Sequence, residues 1–440
     1  MGAISFINKY FFGIGIPFLL MGAGIFYCIR LKFFHFLHPI KVLRSFKSER
    51  SGGVSSLKAM MLALAGTLGV GNMVGVASAI ALGGFGAVFW MWVSALIAMI
   101  LKYAEIVLAM LYRKYDEGGR PYGAAMYYIR ACFKGRLGAV LAGIFAVFCI
   151  INAFSVGSMI QVNAAAEAMN GVFGTPPIVI GLIFAAITLV AILRGSTGIL
   201  ALTEKLVPLM TLGFTVISVA VIVMRPSDAL AAIEKIFSNA FSFQSGAAGV
   251  SGFLLSGAIR YGTMRGILSN EAGCGTAPAA HAVSSCREPA RQGTWGIFEV
   301  FVDTILLCTL TAIVIIIGYD AIDPSGDFMM MTVAAYESVI GRAAGYFLAI
   351  AVMLFGLATV LCWAHYGEVG VNYFSRRAGV RRAYKLIYSL CVFLGALVST
   401  DVLWESADLS IGTMSAINIC ALLLMSGRVK RETEEYFGRS

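Results

Sequence analysis

Apolar residues fill long, nearly uninterrupted stretches of this chain, and short polar segments separate them. The stretches are about 20 residues long, the length that an α-helix needs to cross the hydrocarbon of a bilayer. The pattern predicts an all-α, multi-pass membrane protein with about eleven transmembrane helices. The predicted spans are 10–29, 57–82, 86–112, 137–168, 176–193, 202–224, 246–270, 293–318, 344–373, 385–399 and 403–427.

Charge is concentrated outside the apolar stretches. The chain is 59% hydrophobic and 13% charged, with a mean hydropathy of +0.85, whereas about 25% of residues are charged in soluble domains. A net charge of +10 would suit nucleic acid, but the placement of the charges favours a membrane. If the N-terminus is outside, nearly all of the 33 basic residues fall in inward-facing segments or near the inner ends of spans, as the positive-inside rule requires. The exceptions are Lys9, Arg225, Lys235 and Arg342.

This distribution predicts a cell-membrane protein in contact with the lipid bilayer, with its N-terminus outside, its C-terminus in the cytoplasm and no nucleic-acid partner. The nine cysteines and four histidines are dispersed singly along the chain. The sequence therefore indicates no transition-metal site, no disulfide framework and no organic cofactor. Aromatic and basic residues alternate over 31–43, which favours an amphipathic helix along the inner surface.

Glycine-rich breaks interrupt two of the apolar stretches. The first runs over Ala65–Asn72, and the second over Ser256–Gly262, continuing to Ser269–Gly273. Unpaired backbone at membrane depth is costly unless it lines a cavity or binds something. One such break in each half of the chain is typical of the binding site of a transporter built from inverted repeats.

Setting the first stretch aside leaves five spans in each half, and a broken segment opens each half. This order favours an inverted-repeat core that follows one extra N-terminal helix. The predicted units are an N-terminal helix with its inner amphipathic link (1–56), a first five-helix repeat (57–224), a second five-helix repeat (225–427) and a cytoplasmic tail (428–440).

The first break has two interpretations. The G-x-x-x-G pattern from Gly71 to Gly75 is typical of close helix packing. However, three glycines within six residues, Gly66, Gly69 and Gly71, exceed what packing needs. At such a break, freed N–H groups of a half-helix can hold a carboxylate, and freed C=O groups can coordinate Na⁺. We therefore favour a binding site.

Polar and aromatic side chains inside other spans extend this hypothesis. Gln161, midway along the fourth span, could donate its amide to a substrate or form an interhelical hydrogen bond. Thr359 and Trp363 are one helical turn apart and share a face. Thr359 could give an oxygen to Na⁺, and Trp363 could exclude large side chains or simply pack in the core.

Charged residues within spans are functional candidates by default. Lys102 and Glu105 form an i, i+3 pair that is able to neutralise itself, which favours a structural role. Asp303 has no adjacent cation in the sequence and could take part in proton coupling. Four charged residues toward the predicted inner ends of two spans could form an inner gate: Arg260, Arg265, Glu271 and Glu368.

Seven runs of the sequence resemble the alanine or glycine:cation symporter family, which includes sodium/alanine symporters. They cover nearly the whole chain in order, and the Ser-Asn-Glu-Ala-Gly run is highly specific. The resemblance implies a LeuT-type fold and sodium-coupled uptake of alanine, glycine or similar small neutral amino acids, with Na⁺ as the coupling ion. The matching runs are Gly66–Ala77, Ala81–Trp92, Lys102–Glu105, Gln161–Asn163, Ser269–Pro278, Arg291–Gly293 and Trp363–Glu368.

Together, the break and the resemblance suggest two sets of ligands. Asn72 also matches an asparagine of the neurotransmitter:sodium symporters that binds sodium beside the substrate carboxylate, an analogy at the level of the fold. The residues expected to bind substrate are Thr67, Gly69, Val70, Gly71, Gln161, Phe253, Gly257, Thr359 and Trp363. Those expected to bind sodium are Gly66, Leu68, Asn72, Ala358 and Thr359.

Three positions depart from the family pattern. Many members have Thr where this chain has Val70, Leu where it has Cys274 and Gly where it has Cys362. Without a hydroxyl, Val70 offers only its backbone for recognition.

Other functions remain open. A proton-coupled transporter of the same fold, acting on another small amino acid or solute, is the main alternative to a sodium symporter. An ion channel would favour subunit-repeated pore helices, and a membrane enzyme would need a cluster of catalytic side chains in one plane. The sequence indicates neither, so we expect a transporter that is not an enzyme.

Overall fold

Helices form nearly all of the regular structure in the computed structural model, which describes residues 15–46, 53–241, 257–323, 326–398 and 401–438. The helices up to residue 224 are α1 (Ile16–Arg30), α2 (Phe34–Leu37), α3 (Pro39–Arg44), α4 (Ser56–Thr67), α5 (Val76–Gly83), α6 (Ala87–Leu111), α7 (Ala125–Cys132), α8 (Gly135–Phe154), α9 (Ile160–Phe173), α10 (Pro177–Leu193) and α11 (Ser196–Met224).

The helices of the remaining chain are α12 (Pro226–Asn239), α13 (Gly257–Asn270), α14 (Ala277–His281), α15 (Pro289–Val300), α16 (Thr309–Ile317), α17 (Phe328–Ile340), α18 (Arg342–Phe374), α19 (Ala378–Gly395) and α20 (Asp401–Gly438). Short π-helical segments occupy Gly71–Gly75, Ser155–Met159 and Phe301–Cys308, and a 3₁₀ turn occupies Tyr319–Ala321. The strands β1 (Lys114–Tyr115) and β2 (Pro121–Tyr122) form a small antiparallel hairpin.

Six helical units among the described residues are long and apolar enough to cross a membrane. A seventh candidate is α4 together with Gly71–Gly83, a pair that bends by 56° at the break between them. The multi-pass helical membrane protein is therefore confirmed, whereas the number of eleven spans stays a prediction. The six units are Ala87–Leu111, Gly135–Phe173, Ser196–Met224, Pro289–Ile317, Arg342–Phe374 and Leu409–Gly438.

Helices also lie on the other predicted stretches. Shorter apolar helices cover Ile16–Arg30 and Pro177–Leu193, α13 covers the described part of 246–270, and α19 covers much of 385–399. Residues 246–256 of the seventh stretch fall outside the described residues. The described parts of the apolar stretches are therefore mostly helical, and the main interruption within a stretch lies at residues 68–70.

Large apolar side chains face outward on the helices at the periphery. Leu209 and Leu212 of α11 are 63% and 65% exposed, and Leu386 of α19 is 61% exposed. In water such surfaces would favour association. On a membrane protein they face the hydrocarbon, whereas α6 and α18 are largely buried and form the centre around which the other helices pack.

The predicted inner link folds as two short helices, α2 and α3. Leu37 and Ile40 are exposed, whereas Phe34 and Val42 are buried, so the segment is amphipathic. Burial lowers the pKa of His35 in this link to about 4, which keeps the imidazole neutral near pH 7. The predicted tail continues α20 to Gly438, and the Lys41 ammonium donates to the Phe437 carbonyl at 3.1 Å.

Candidate functional site

The first predicted break is present between α4 and the π-helical segment Gly71–Gly75. The Leu68 N–H still donates to the Leu64 carbonyl at 2.7 Å, but the Gly69 N–H donates to the Thr67 carbonyl at 2.9 Å. The Val70 N–H donates to the side-chain oxygen of Gln161 at 3.3 Å. The carbonyls of Ala65 and Gly66 thereby lose the donors that a continuing helix would supply.

The three glycines of this break serve different purposes. A Cβ on Gly66 would lie 2.9 Å from the Cys362 sulfur, so Gly66 allows close packing on α18. A Cβ on Gly69 would lie 2.9 Å from both the Gln161 Oε1 and the Thr359 Oγ1. A Cβ on Gly71 would meet no atom within 4 Å. Gly69 thus brings two polar side chains onto the backbone, and Gly71 faces open space.

That open space is a cavity of about 100 Å³ between the break, α8–α9, α13, α18 and α20. A single buried water needs only about 10–15 Å³, so the cavity has room for a small organic molecule. The predicted site residues that line it are Gly66, Thr67, Gly69, Val70, Gly71, Gln161, Arg265, Glu271, Thr359 and Trp363. Lining residues that the sequence did not suggest include Asn152, Ser269, Cys274 and Met414.

Gln161, Thr359 and Trp363 are each held in place by the protein. Gln161 accepts the Val70 N–H, and its amide donates to the Val156 carbonyl at 3.2 Å. The Thr359 hydroxyl donates to the Phe355 carbonyl at 3.1 Å and lies 3.5 Å from the Leu68 carbonyl. The Trp363 side chain is 1% exposed and packs on the backbone of Gly157. Gly157 lies in the π-helical segment that joins α8 to α9.

The second break is present only in the later part of the predicted segment, at Ser269–Gly273. Residues Gly257–Gly262 belong to the regular helix α13, and the chain leaves the helix only after Asn270. Glu271 follows with φ of 52°, and Gly273 and Gly275 also have positive φ. The glycines within α13 serve close packing instead, since a Cβ on Gly262 would lie 2.2 Å from the Ala87 carbonyl oxygen of α6.

Gly257 and Phe253 were expected to bind substrate. Gly257 is not among the described residues that line the cavity. It lies where α13 crosses α5, and a Cβ there would lie 3.2 Å from the Leu82 carbonyl oxygen. Gly257 therefore allows the two helices to pack closely, and its role as a ligand stays a prediction. Phe253 lies outside the described residues.

The four predicted gate residues do not share one location. Arg265 and Glu271 line the cavity, and Thr276 donates to the Glu271 carboxylate at 2.7 Å. Glu368 instead pairs with Lys385 of α19 at 3.5 Å, and the Arg260 guanidinium lies over the ring of its neighbour Tyr261. Glu368 thus has a partner on α19, and the four-residue gate stays a prediction.

Three of the expected sodium ligands lie behind the cavity wall rather than on it. Leu68, Asn72 and Ala358 are buried and are not among the described lining residues. The Leu68 carbonyl nevertheless lies next to Thr359. Asn72 belongs to a separate polar cluster, which the sequence did not predict.

This cluster surrounds Asp303, in the π-helical segment Phe301–Cys308. The Asn72 amide donates to Asp303 Oδ1 at 2.7 Å and to the Ser269 oxygen at 3.2 Å. Ser269 and Thr304 donate to Asp303 Oδ2 at 2.8 and 2.7 Å. Asn72 Oδ1 is buried and has no hydrogen-bond partner among the described residues. The sequence singled out Asn72 as a sodium ligand and Asp303 as an unpaired carboxylate, but it did not indicate that the two side chains meet.

The prediction that Lys102 pairs with Glu105 is wrong. The Lys102 ammonium pairs with Glu299 of α15 at 3.0 Å and donates to the Asn270 carbonyl at 2.7 Å. Glu105 instead accepts the Gly275 N–H at 2.9 Å and the Asn418 amide. The local i, i+3 relation is overridden because each side chain has a partner on a neighbouring element.

Comparison with known proteins places this geometry in context. The profile of the sodium:alanine symporter family matches residues 1–440. The chain is 36% identical to the sodium/alanine symporter AgcS of Methanococcus maripaludis, over 98% of this chain and 96% of that protein. It is 35% identical to the amino-acid carrier protein AlsT of Bacillus subtilis, over 98% and 90% of the two chains.

A solved structure shares the fold. A Na⁺-coupled sialic acid symporter, solved in a substrate-bound outward-open state, superposes with a TM-score of 0.62 at 14% identity, over 94% of this chain and 86% of that chain. At this identity the likeness concerns the fold alone. It supports the LeuT-type architecture that the sequence implied.

Proposed function

The chain belongs to the sodium:alanine symporter family, and we propose that it carries a small neutral amino acid, alanine or glycine, into the cell together with Na⁺. The family assignment makes it an amino-acid:cation symporter of the membrane. The proposal that the substrate is alanine or glycine rests on the cavity at the first break, where backbone, amide, hydroxyl and indole groups converge.

The architecture that serves this function is an eleven-span protein with a five-plus-five inverted repeat, with its N-terminus outside and its C-terminus in the cytoplasm. The site would open alternately to the two sides of the membrane as the repeats move around it. The helices on each predicted stretch and the bend of 56° at the first break support this proposal.

The substrate carboxylate would bind at the start of the π-helical segment. The first N–H groups of a helix have no acceptor within it, and they carry the positive end of its dipole. The Val70 N–H is taken by Gln161, so Gly71 provides the next N–H toward the open space. Gln161 then acts mainly by fixing the backbone, and Thr67 and Thr359 supply hydroxyls at the same wall.

The size of the substrate would be limited by Trp363. Its indole is among the largest fully buried side chains, and it packs closely against Gly157. One methylene group changes binding in an apolar pocket by only about 1–3 kcal/mol. A fixed wall is therefore the more effective way to exclude valine or leucine.

Sodium would bind oxygen atoms at two places. The first is beside Thr359, where the carbonyls of Gly66, Leu68 and Ala358 are the proposed partners. Unwound carbonyls at broken helices commonly coordinate Na⁺. The second is the Asn72 cluster, where the carboxylate of Asp303 and the unpartnered Asn72 Oδ1 are hard oxygen ligands.

Proton coupling is the second candidate. Asp303 is buried and accepts hydrogen bonds from neutral groups, and no ion pair to it is found among the described residues. A proton could neutralise this carboxylate in place of Na⁺. The two candidates differ in which gradient drives uptake.

Uptake of radiolabelled alanine into proteoliposomes separates them. We expect accumulation when Na⁺ is high outside, and none when a pH gradient is imposed in Na⁺-free buffer. Equal accumulation under a proton gradient alone would instead establish proton coupling. Absence of alanine and glycine uptake under both gradients would overturn the proposed substrate.

A further inference from the structure

Lys102 is a fully buried cation in the middle of a membrane protein. Its side chain is 0% exposed, as is that of His281, and Glu299 is 1% exposed. Buried ion pairs are commonly no more stabilising than apolar residues of similar volume. Stability alone therefore gives no reason to place a lysine here, and its contacts suggest another role.

The ammonium binds the end of α13. It donates to the carbonyl of Asn270, the last residue of that helix, at 2.7 Å. A helix leaves its last carbonyls without donors, and a cation there is favoured by the helix dipole. The next residue, Glu271, has φ of 52°, a conformation that is unfavourable for residues other than glycine. Lys102 thus fixes the point at which the strained turn begins.

Side chains at the end of α13 belong to the cluster around Asn72 and Asp303. Ser269 donates to Asp303 Oδ2 and accepts from Asn72. The Asn270 amide donates to Thr304 Oγ1 at 3.2 Å, and Thr304 donates to Asp303. Hydrogen bonds through Asn270 and Thr304 therefore connect Lys102 to Asp303. Glu271, the residue after Asn270, lines the cavity.

The ammonium is itself anchored from the other side. Glu299 of α15 lies 3.0 Å from Lys102 and 3.2 Å from the His281 Nε2. The other ring nitrogen of His281 lies 2.8 Å from the Gln292 amide nitrogen. Glu299 is also one helical turn before Asp303. The cluster thus links α6, α14 and α15 to the end of α13.

We propose that Lys102 is a positioning residue for cation binding: by holding the Asn270 carbonyl, it keeps Ser269 and Thr304 at the distances from Asp303 that a bound Na⁺ requires. This inference rests on the proposed function, because it takes the Asn72–Asp303 cluster as a cation site. Coupling of this kind passes through contiguous hydrogen bonds between rigid elements. Lys102 itself touches neither ion nor substrate.

The test compares Lys102→Met, Glu299→Gln and the double variant Lys102→Met/Glu299→Gln in proteoliposomes. Alanine uptake is measured over a range of Na⁺ concentrations, and again over a range of alanine concentrations at saturating Na⁺. We expect Lys102→Met to raise the half-saturating Na⁺ concentration by about tenfold or more, as for loss of one hydrogen bond from a charged group. The half-saturating alanine concentration at saturating Na⁺ should change little.

The double variant guards against simple misfolding. Removing both charges leaves no unpaired buried ion between these two side chains, so its melting temperature should fall less than that of either single variant, while the weakened Na⁺ dependence remains. A double variant that regains wild-type Na⁺ dependence would overturn the proposal, because Lys102 would then serve only to neutralise Glu299. Equal loss of apparent Na⁺ and alanine affinity in Lys102→Met would overturn it as well.

Lys58→Met is the matched control. Lys58 pairs with Glu204 at 2.9 Å, but both side chains are more than 40% exposed, and such pairs contribute about 0–1 kcal/mol. Its Na⁺ dependence should equal that of the wild type. If the wild type itself shows no Na⁺ dependence, the proposed function fails. A failure of the positioning role, by contrast, appears only as a difference between variants.

Discussion

The two breaks of this protein satisfy their backbone groups in different ways. At the first, between Thr67 and Gly71, helical hydrogen bonds are lost and glycine opens the backbone to a cavity. At the second, between Asn270 and Thr276, protein side chains take up the freed groups. Lys102 binds the Asn270 carbonyl, and Glu105 accepts the Gly275 N–H.

This difference indicates that the two breaks have different roles. A break whose backbone groups remain available can bind ligands through the backbone. A break whose backbone is satisfied internally can present only side chains, here Ser269 and Glu271. We infer that the first break recognises the substrate and that the second supports the cation cluster.

The largest effect is expected from Gly69→Ala. The new Cβ would lie 2.9 Å from both Gln161 Oε1 and Thr359 Oγ1, so both polar groups would be pushed away from the backbone. Alanine uptake should fall by about 100-fold or more, since two positioned groups are lost at about 1.4 kcal/mol per factor of ten.

Gly143→Ala is the control for Gly69→Ala. It lies in α8, where a Cβ would meet only an ordinary contact of 3.8 Å with Phe374, and its uptake should equal that of the wild type. Normal uptake by a Gly69→Ala protein would mean that the first break serves packing and not binding.

Asp303→Asn tests the cation cluster. The substitution keeps the size of the side chain but removes the buried negative charge beside Asn72 and Ser269. We expect the Na⁺ concentration for half-maximal uptake to rise by about tenfold or more, measured in proteoliposomes. The control is Asp228→Asn, at a side chain that is 46% exposed. An unchanged Na⁺ requirement would remove Asp303 from the proposed ligands.

Trp363→Ala separates size selection from binding. Without the indole, valine and leucine should compete with labelled alanine, and alanine itself should bind several-fold more weakly because apolar contact is lost. The measurement is a competition panel of neutral amino acids. If the variant keeps the wild-type order of competitors, Trp363 does not limit substrate size.

Glu105→Ala should have the smallest effect on selectivity and a clear effect on stability. It would leave the buried Gly275 N–H and the Asn418 amide without one of their acceptors, at about 1–3 kcal/mol for each unsatisfied group. Thermal unfolding in detergent should therefore shift to lower temperature. A large change in the order of competitors would contradict the structural role of the second break.

Local sequence patterns were sufficient for some of these features. The apolar stretches predicted the helices, and the density of glycine at Gly66, Gly69 and Gly71 predicted the first break. The same signal failed at Gly257 and Gly262, because a glycine that allows two helices to cross closely looks identical in sequence to one that opens a helix. The observed second break lies in the predicted continuation at Ser269–Gly273, where Glu271 is left-handed; no local rule predicts that conformation for a glutamate.

Long-range partners explain the other errors. The sequence offered Glu105 as the neighbour of Lys102, but folding brings Glu299 to it. Likewise, Asn72, Ser269 and Asp303 lie on three different elements, and only their packing makes a cluster. Glu368 also pairs with Lys385 on the following helix. Spacing along the chain gives no access to these contacts.

The central claim is that the amino acid and Na⁺ bind, at the first break, to the same conformation of the protein. Binding of labelled alanine to the purified protein in detergent, with and without Na⁺, tests this most directly. Because linkage is reciprocal, Na⁺ should tighten alanine binding by the same factor by which alanine tightens the binding of radioactive ²²Na⁺, and Gly69→Ala should abolish both effects. Alanine binding of equal affinity in Na⁺-free buffer would contradict the account.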